Sequence, residues 1–128
     1  MQVVRGNVIK DKSYAFAIRI IKLCTLLQSL GFGWVAERII NSGTNIGACI
    51  ERANAGQSKN EFVEMMQQAS HQARETAYWL RLIAGAKLID HSMQNIIQDA
   101  DELINILSAI VRTGQKNLHH SKQRVVGH

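Results

Sequence analysis

The sequence contains no proline, where average usage of about 5% would place roughly six in a chain of this length. Proline lacks an N–H and clashes with the preceding helical turn, so its absence favours long uninterrupted helices. Aromatic residues make up only 5% of the chain, too thin for a β-sandwich or barrel. The two cysteines, Cys24 and Cys49, form no CxxC pair and have no metal-ligand spacing, which reads as buried thiols in a reduced protein. No apolar run approaches the 18 or so residues of a membrane span, and Met1 to Lys12 lacks the apolar core of a signal peptide. A cytoplasmic protein with no membrane partner is expected.

What is present fits one all-α domain. The chain has 128 residues, 46% hydrophobic and 20% charged, enough to bury a core. Four amphipathic helices follow from apolar residues at three- and four-residue spacing. The first runs from about Lys12 to Leu30, with Tyr14, Ala17, Ile18, Ile21, Cys24 and Leu27 as its stripe. Phe16, Ile20, Leu23 and Leu30 widen that stripe, so this helix should be covered on two sides. Gly31-Phe32-Gly33 breaks it. The second runs from about Trp34 to Ala55 on Val35, Ile39, Ile46, Ile50 and Ala53. Propensity marks Asn41 to Gly47 as a break, but the stripe stays in phase across it, which favours one helix. Gly43 and Gly47 would then let another backbone approach. Ser58, followed by Glu61, is a capping box that opens the third helix, which ends near Ala84. Its stripe is Phe62, Met65 or Met66, Ala69, Ala73, Thr76, Leu80 and Ile83. The fourth starts at Asp90 or Ser92 and ends at Thr113, with Gly114 as cap. Met93, Ile96, Ile97, Ala100, Leu103, Ile104, Leu107, Ile110 and Val111 form its seam. Short connections between such helices require an antiparallel up-down-up-down four-helix bundle over residues 1–114. Residues 115–128 are expected to be a disordered basic tail.

Charge is unevenly placed. Net charge is +5, yet residues 1–102 hold eleven Lys/Arg against ten Asp/Glu. Residues 103–128 hold Arg112, Lys116, Lys122 and Arg124 and no acid. These four are the candidate nucleic-acid contacts, since cations on phosphate release counterions. The alternative is a solvated, solubilising tail.

Catalytic and metal motifs are missing. There is no Glu-x-x-His step of the di-iron bundles, no HExxH and no P-loop. His71 stands alone, and His119 and His120 lie in the expected tail. No catalytic residue, metal or cofactor is assigned, and no enzyme is expected. The second and third helices carry a polar constellation, Ser42, Asn45, Glu51 and Glu75. A carboxylate beside Tyr78-Trp79-Leu80 should be hydrogen-bonded, which suggests a Glu75–Asn45 or Glu75–Ser42 link that fixes register. A subunit contact or ligand pocket is the functional alternative. Arg81 could form an exposed pair with Glu75.

Three ordered segments resemble the "four helix bundle protein" family, also called the ribosomal RNA intervening-sequence protein family. They are Asn7 to Ala17, then Arg38 to Ala48 with Glu51 and Ala55 to Lys59, then Ala73 to Leu82. Some members of that family are encoded within insertions in large-subunit ribosomal RNA genes. The resemblance implies an antiparallel bundle that assembles as a homopentamer, with no known biochemical activity. Related bundles are basic accessory proteins of diversity-generating retroelements that contact nucleic acid and a reverse transcriptase. The expected partners are therefore other copies of this chain, RNA or DNA, and a reverse transcriptase or other protein. Two functions follow as expectations: an oligomeric nucleic-acid-binding accessory protein, or an interaction scaffold without nucleic-acid contact.

Overall fold

The computed structural model describes the backbone of residues 2–126 and the side chains of residues 8–119. Four helices fill it: α1 (Gln2–Ser29), α2 (Gly33–Ala55), α3 (Lys59–Ala86) and α4 (Gln94–Val126). α1 packs on α2, α2 on α3, α3 on α4, and α4 closes the ring on α1. Pairs such as Lys12–Glu102 and Arg19–Asp99, or Arg74–Ser108 and Val63–Gly114, run in opposite directions along each neighbour. The bundle is thus up-down-up-down, as its short connections require.

Local chemistry sets the turns. Gly31 takes φ +89°, where a Cβ is strained, and ends α1. The Phe32 N–H then donates to the Leu27 carbonyl at 2.8 Å, the Schellman pattern. The same pattern ends α3, where Leu88 N–H reaches the Ile83 carbonyl at 3.2 Å and left-handed Lys87 takes the place of glycine. Ser58 caps α3 by accepting the Glu61 N–H at 3.1 Å, while Glu61 accepts the Gln57 N–H at 2.9 Å. α2 passes unbroken through Asn41–Gly47 because Ser42, Gly43 and Ile46 are buried in phase with Ile39 and Ile50. A Cβ at Gly43 would fall 2.9 Å from Ile20, so a side chain of α1, rather than its backbone, occupies that space. A Cβ at Gly47 would lie 3.6 Å from Ser13 Oγ, an ordinary van der Waals distance, so no backbone approaches there either.

Two boundaries differ from the sequence reading. α1 begins at Gln2, and its core stripe is Ile9, Ser13, Phe16, Ile20, Cys24 and Leu27. Tyr14, Ile18 and Ile21 lie on the outer side of the same helix and are exposed. Both stripes have helical spacing, and the position of α2 and α4 selects between them. α4 does not end at Gly114. It continues to Val126, so residues 115–126 extend the helix and are not a separate tail. Gly114 is buried inside α4, where a Cβ would lie 2.5 Å from Val63 Cγ2. The glycine that resembles a cap is a contact point between α3 and α4.

Candidate nucleic-acid interface

α4 is neutralised on one side and basic on the other. Towards α1, Glu102 pairs with Lys12 at 3.0 Å and Asp99 pairs with Arg19. Lys10 of α1 pairs with Glu51 of α2 at 3.8 Å. These cations of α1 are thus matched by acids of its neighbours. Towards α3 the pattern changes. Asp101, Asn105, Ser108 and Arg112 recur at helical spacing along one stripe of α4, and Lys116 follows one turn on. Arg74 of α3 donates to Ser108 Oγ at 3.1 Å, a neutral partner. Arg74, Ala77 and Arg81 face Asp101, Ile104 and Asn105 across a cleft of about 460 Å³. Among the described residues, no carboxylate lies within ion-pair reach of Arg74, Arg81, Arg112 or Lys116.

Of the four basic residues singled out in the sequence, Arg112 and Lys116 are exposed on α4. Lys122 and Arg124 fall within the helical span, with side chains outside the described residues. A helix presents these cations at fixed spacing, which a tail would not. Sequence reasoning misses Arg74 and Arg81 as contacts, because each sits in a segment whose local charge is balanced or apolar. The available signal is their i, i+7 spacing, which puts both on one face.

The polar constellation of α2 and α3 resolves differently from expectation. Ser42 is buried and its hydroxyl lies 2.8 Å from Thr76 Oγ1. Thr76 Oγ1 is also 2.8 Å from the Gln72 carbonyl. A hydroxyl has one proton, so with Thr76 donating to the carbonyl, Ser42 supplies the proton between the two hydroxyls. Glu75 is exposed and takes no part, because it sits one position off the buried stripe on which Thr76 lies. Neither a Glu75–Asn45 nor a Glu75–Ser42 link forms, and Arg81 makes no pair with Glu75. Asn45 is half-buried, and Glu51 is exposed in its pair with Lys10. The register-fixing pair is therefore Ser42–Thr76.

Other chemistry is sparse. Burial raises the Cys24 thiol from its ordinary 9.0 to about 11, and its Sγ donates to the Ala36 carbonyl at 3.4 Å. Burial also raises Cys49, partly offset by Arg52. Both thiols are free and stay protonated at neutral pH. No group of three His, Cys, Asp or Glu is placed to hold a metal among the described residues. No described helix is long and apolar enough to cross a membrane. A second cavity of about 370 Å³ lies under the α2–α3 turn, lined by Asn54, Lys59, Phe62, Val63, Gly114 and Asn117 among others.

The fold has a solved counterpart. A protein of unknown function from the S23 ribosomal protein family of Bacteroides thetaiotaomicron is 34% identical, with a TM-score of 0.80, over 84% of this chain and 98% of that one. No curated protein matches the chain. The family model for the 23S rRNA-intervening sequence protein matches residues 5–109, which take in most of α1, all of α2 and α3, and the first half of α4. With that match covering well over half of the chain, the chain belongs to the 23S rRNA-intervening sequence protein family.

Proposed function

We propose that this protein is a non-catalytic, self-assembling helical bundle that binds nucleic acid as an accessory factor. One observation carries the reading: residues 103–128 hold no acid, and α4 continues as a helix to Val126 and displays Arg112 and Lys116, exposed and unpaired by any described carboxylate. Cations held on a helix are arranged before binding, so less conformational entropy is lost on contact. Cationic residues near a helix C-terminus also complement its dipole, which supports the extension itself. Self-assembly, as a homopentamer on the family resemblance, is supported by the outer stripe Tyr14, Ile18 and Ile21 of α1. Tyr14 keeps 70% of its surface in water in the single chain. A ring would bring several α4 ends together and multiply weak phosphate contacts.

The test is fluorescence anisotropy with labelled structured RNA and duplex DNA at about 50 and 200 mM salt, the range over which multi-phosphate contacts weaken by orders of magnitude. Truncation at Gly114 would cut α4 where it packs on Val63, so substitution is the cleaner probe. Lys116→Gln/Lys122→Gln/Arg124→Gln should abolish most salt-sensitive binding. Equal binding by this variant, or binding indifferent to salt, would refute the role of the α4 end.

A second reading is an interaction scaffold without nucleic-acid contact. The observation in its favour is a further exposed apolar set, Trp34, Tyr78 and Leu82, on α2 and α3 rather than α1. A protein partner recovered after nuclease treatment would favour this reading. A partner that disappears on nuclease treatment would favour the first.

A further inference from the structure

Arg74, Tyr78 and Arg81 stand at i, i+4 and i+7 on α3, one face of the helix. Tyr78 is 55% exposed although it sits between two arginines. Its ring makes a T-shaped contact with Trp79, with centroids 6.3 Å apart and planes at 65°. Despite that contact, more than half of the Tyr78 surface stays in water. The arginines lie about 10.5 Å apart along the axis, at about 1.5 Å per residue. Asn105 and Ser108 of α4 add neutral hydrogen-bonding groups beside them, and Arg112 continues the row.

We propose that the exposed face of α3 beside the α3/α4 cleft binds a single-stranded segment of nucleic acid, with a base stacked on Tyr78 and neighbouring phosphates held by Arg74, Arg81 and Arg112. The inference rests on the nucleic-acid reading above and adds a strand preference to it. Guanidinium forks fit phosphate oxygens better than a point charge does. An aromatic ring between cations is the arrangement that holds unstacked bases, because every base has a π-face. A duplex keeps its bases stacked inside and offers Tyr78 nothing. Asp101 lines the same cleft as Arg81 and marks the acidic limit of the strip, since the cations follow it towards the end of α4.

The experiment compares labelled single-stranded RNA, single-stranded DNA and duplex on the full chain. Wild type is set against Tyr78→Ala, Tyr78→Phe, Arg74→Gln/Arg81→Gln and the α4-end variant described above. Tyr78→Ala should weaken single-strand binding roughly 5- to 100-fold, the range of one missing base stack, with duplex binding nearly unchanged. Tyr78→Phe should retain binding, because the ring remains. Arg74→Gln/Arg81→Gln should lower the single-strand salt slope by about 1.4, or about 0.7 for each phosphate no longer neutralised. Light scattering on each variant separates binding from assembly. Tyr78→Ala that lowers the oligomer mass while single-strand affinity holds would make Tyr78 a subunit contact and overturn the proposal. Binding abolished in Lys116→Gln/Lys122→Gln/Arg124→Gln but unchanged in Tyr78→Ala and Arg74→Gln/Arg81→Gln would overturn the α3 face and leave the α4 end intact as a nucleic-acid contact. No binding by wild type at about 50 mM salt would overturn both readings, since phosphate contacts are strongest at low salt.

Discussion

The two flanks of α4 are built from the same helix and differ in what neutralises them. On the α1 flank, Asp99 and Glu102 meet Arg19 and Lys12. On the α3 flank, Arg74 meets a serine hydroxyl, and Arg81 and Arg112 form no ion pair with a described carboxylate, although Asp101 lines the cleft beside Arg81. Exposed ion pairs contribute about 0–1 kcal/mol, so neither flank is held chiefly by charge. Both are held by the apolar seam between them, Ala100, Leu103, Leu107 and Ile110. The difference therefore concerns what each flank can still bind. A matched flank has used its charges within the chain. An unmatched flank keeps them for a partner.

The most severe way to break this contrast is to remove what both flanks share. Leu107 is fully buried, and Leu107→Ala should cost about 2–5 kcal/mol through reduced burial and a residual cavity. Urea unfolding would show it as a lower midpoint. It should impair both flanks alike, so any difference between them in nucleic-acid binding would vanish with the fold.

A second experiment asks whether the α1 side responds to pH through its interior rather than its ion pairs. Cys24 has a folded pKa of about 11 against an ordinary 9.0, because burial disfavours the thiolate. Below pH 9 both folded and unfolded states hold the proton, and stability is unaffected. Above it the unfolded thiol ionises first, so stability falls until the folded thiol titrates. The loss should be on the order of 2–3 kcal/mol between about pH 9 and 11. Cys24→Ala should flatten this part of the curve in denaturant titrations. An unchanged slope would refute the assignment.

The α3 flank has its own steric anchor. A Cβ on residue 114 would meet Val63 Cγ2 at 2.5 Å, and Val63 is a stiff, buried β-branched side chain. Gly114→Ala should cost about 1–2 kcal/mol, the overpacking penalty less the gain in helix propensity. Val63→Ala should be better tolerated in the Gly114→Ala background than alone, a coupling that thermal melts of the cycle would reveal.

The smallest effect sharpens the contrast most directly. Asp99→Asn should cost at most about 1 kcal/mol at low salt and less at high salt, because its pair with Arg19 is solvent-screened. Arg81→Gln should change stability by no more than about 0.5 kcal/mol. Equal losses at the two positions would mean that the flanks do not differ in charge matching.

Most of the fold was legible in the sequence because helices with one apolar stripe can be buried in only one way. α2, α3 and α4 have such stripes, and Val35, Ile39, Ile46, Leu80, Leu103 and Leu107 are buried as their spacing requires. The Ser58–Glu61 cap was legible too, since its hydrogen bonds are local. α1 was ambiguous because it carries two overlapping apolar stripes, and residues from other helices select the one containing Phe16 and Ile20. The site was less legible than the fold. Glu75 draws attention as a charge beside aromatics, but its neighbour Thr76 occupies the buried position and bonds Ser42 across 34 residues.

Local physics, then, sufficed for helix, turn and four-fold antiparallel order: periodicity, capping and the absence of proline act over a few residues and need no partner. The end of α4, the buried Gly114 and the unmatched arginines of the α3 flank arise between helices. Gly114 resembles a stop until Val63 is seen against it. Arg74 and Arg81 resemble ordinary surface charge until Ser108, Asn105 and Arg112 are seen along the same row, with Asp101 in the cleft but in ion-pair reach of neither. Packing and charge matching depend on which residues meet across elements, and that information resides in the assembled bundle.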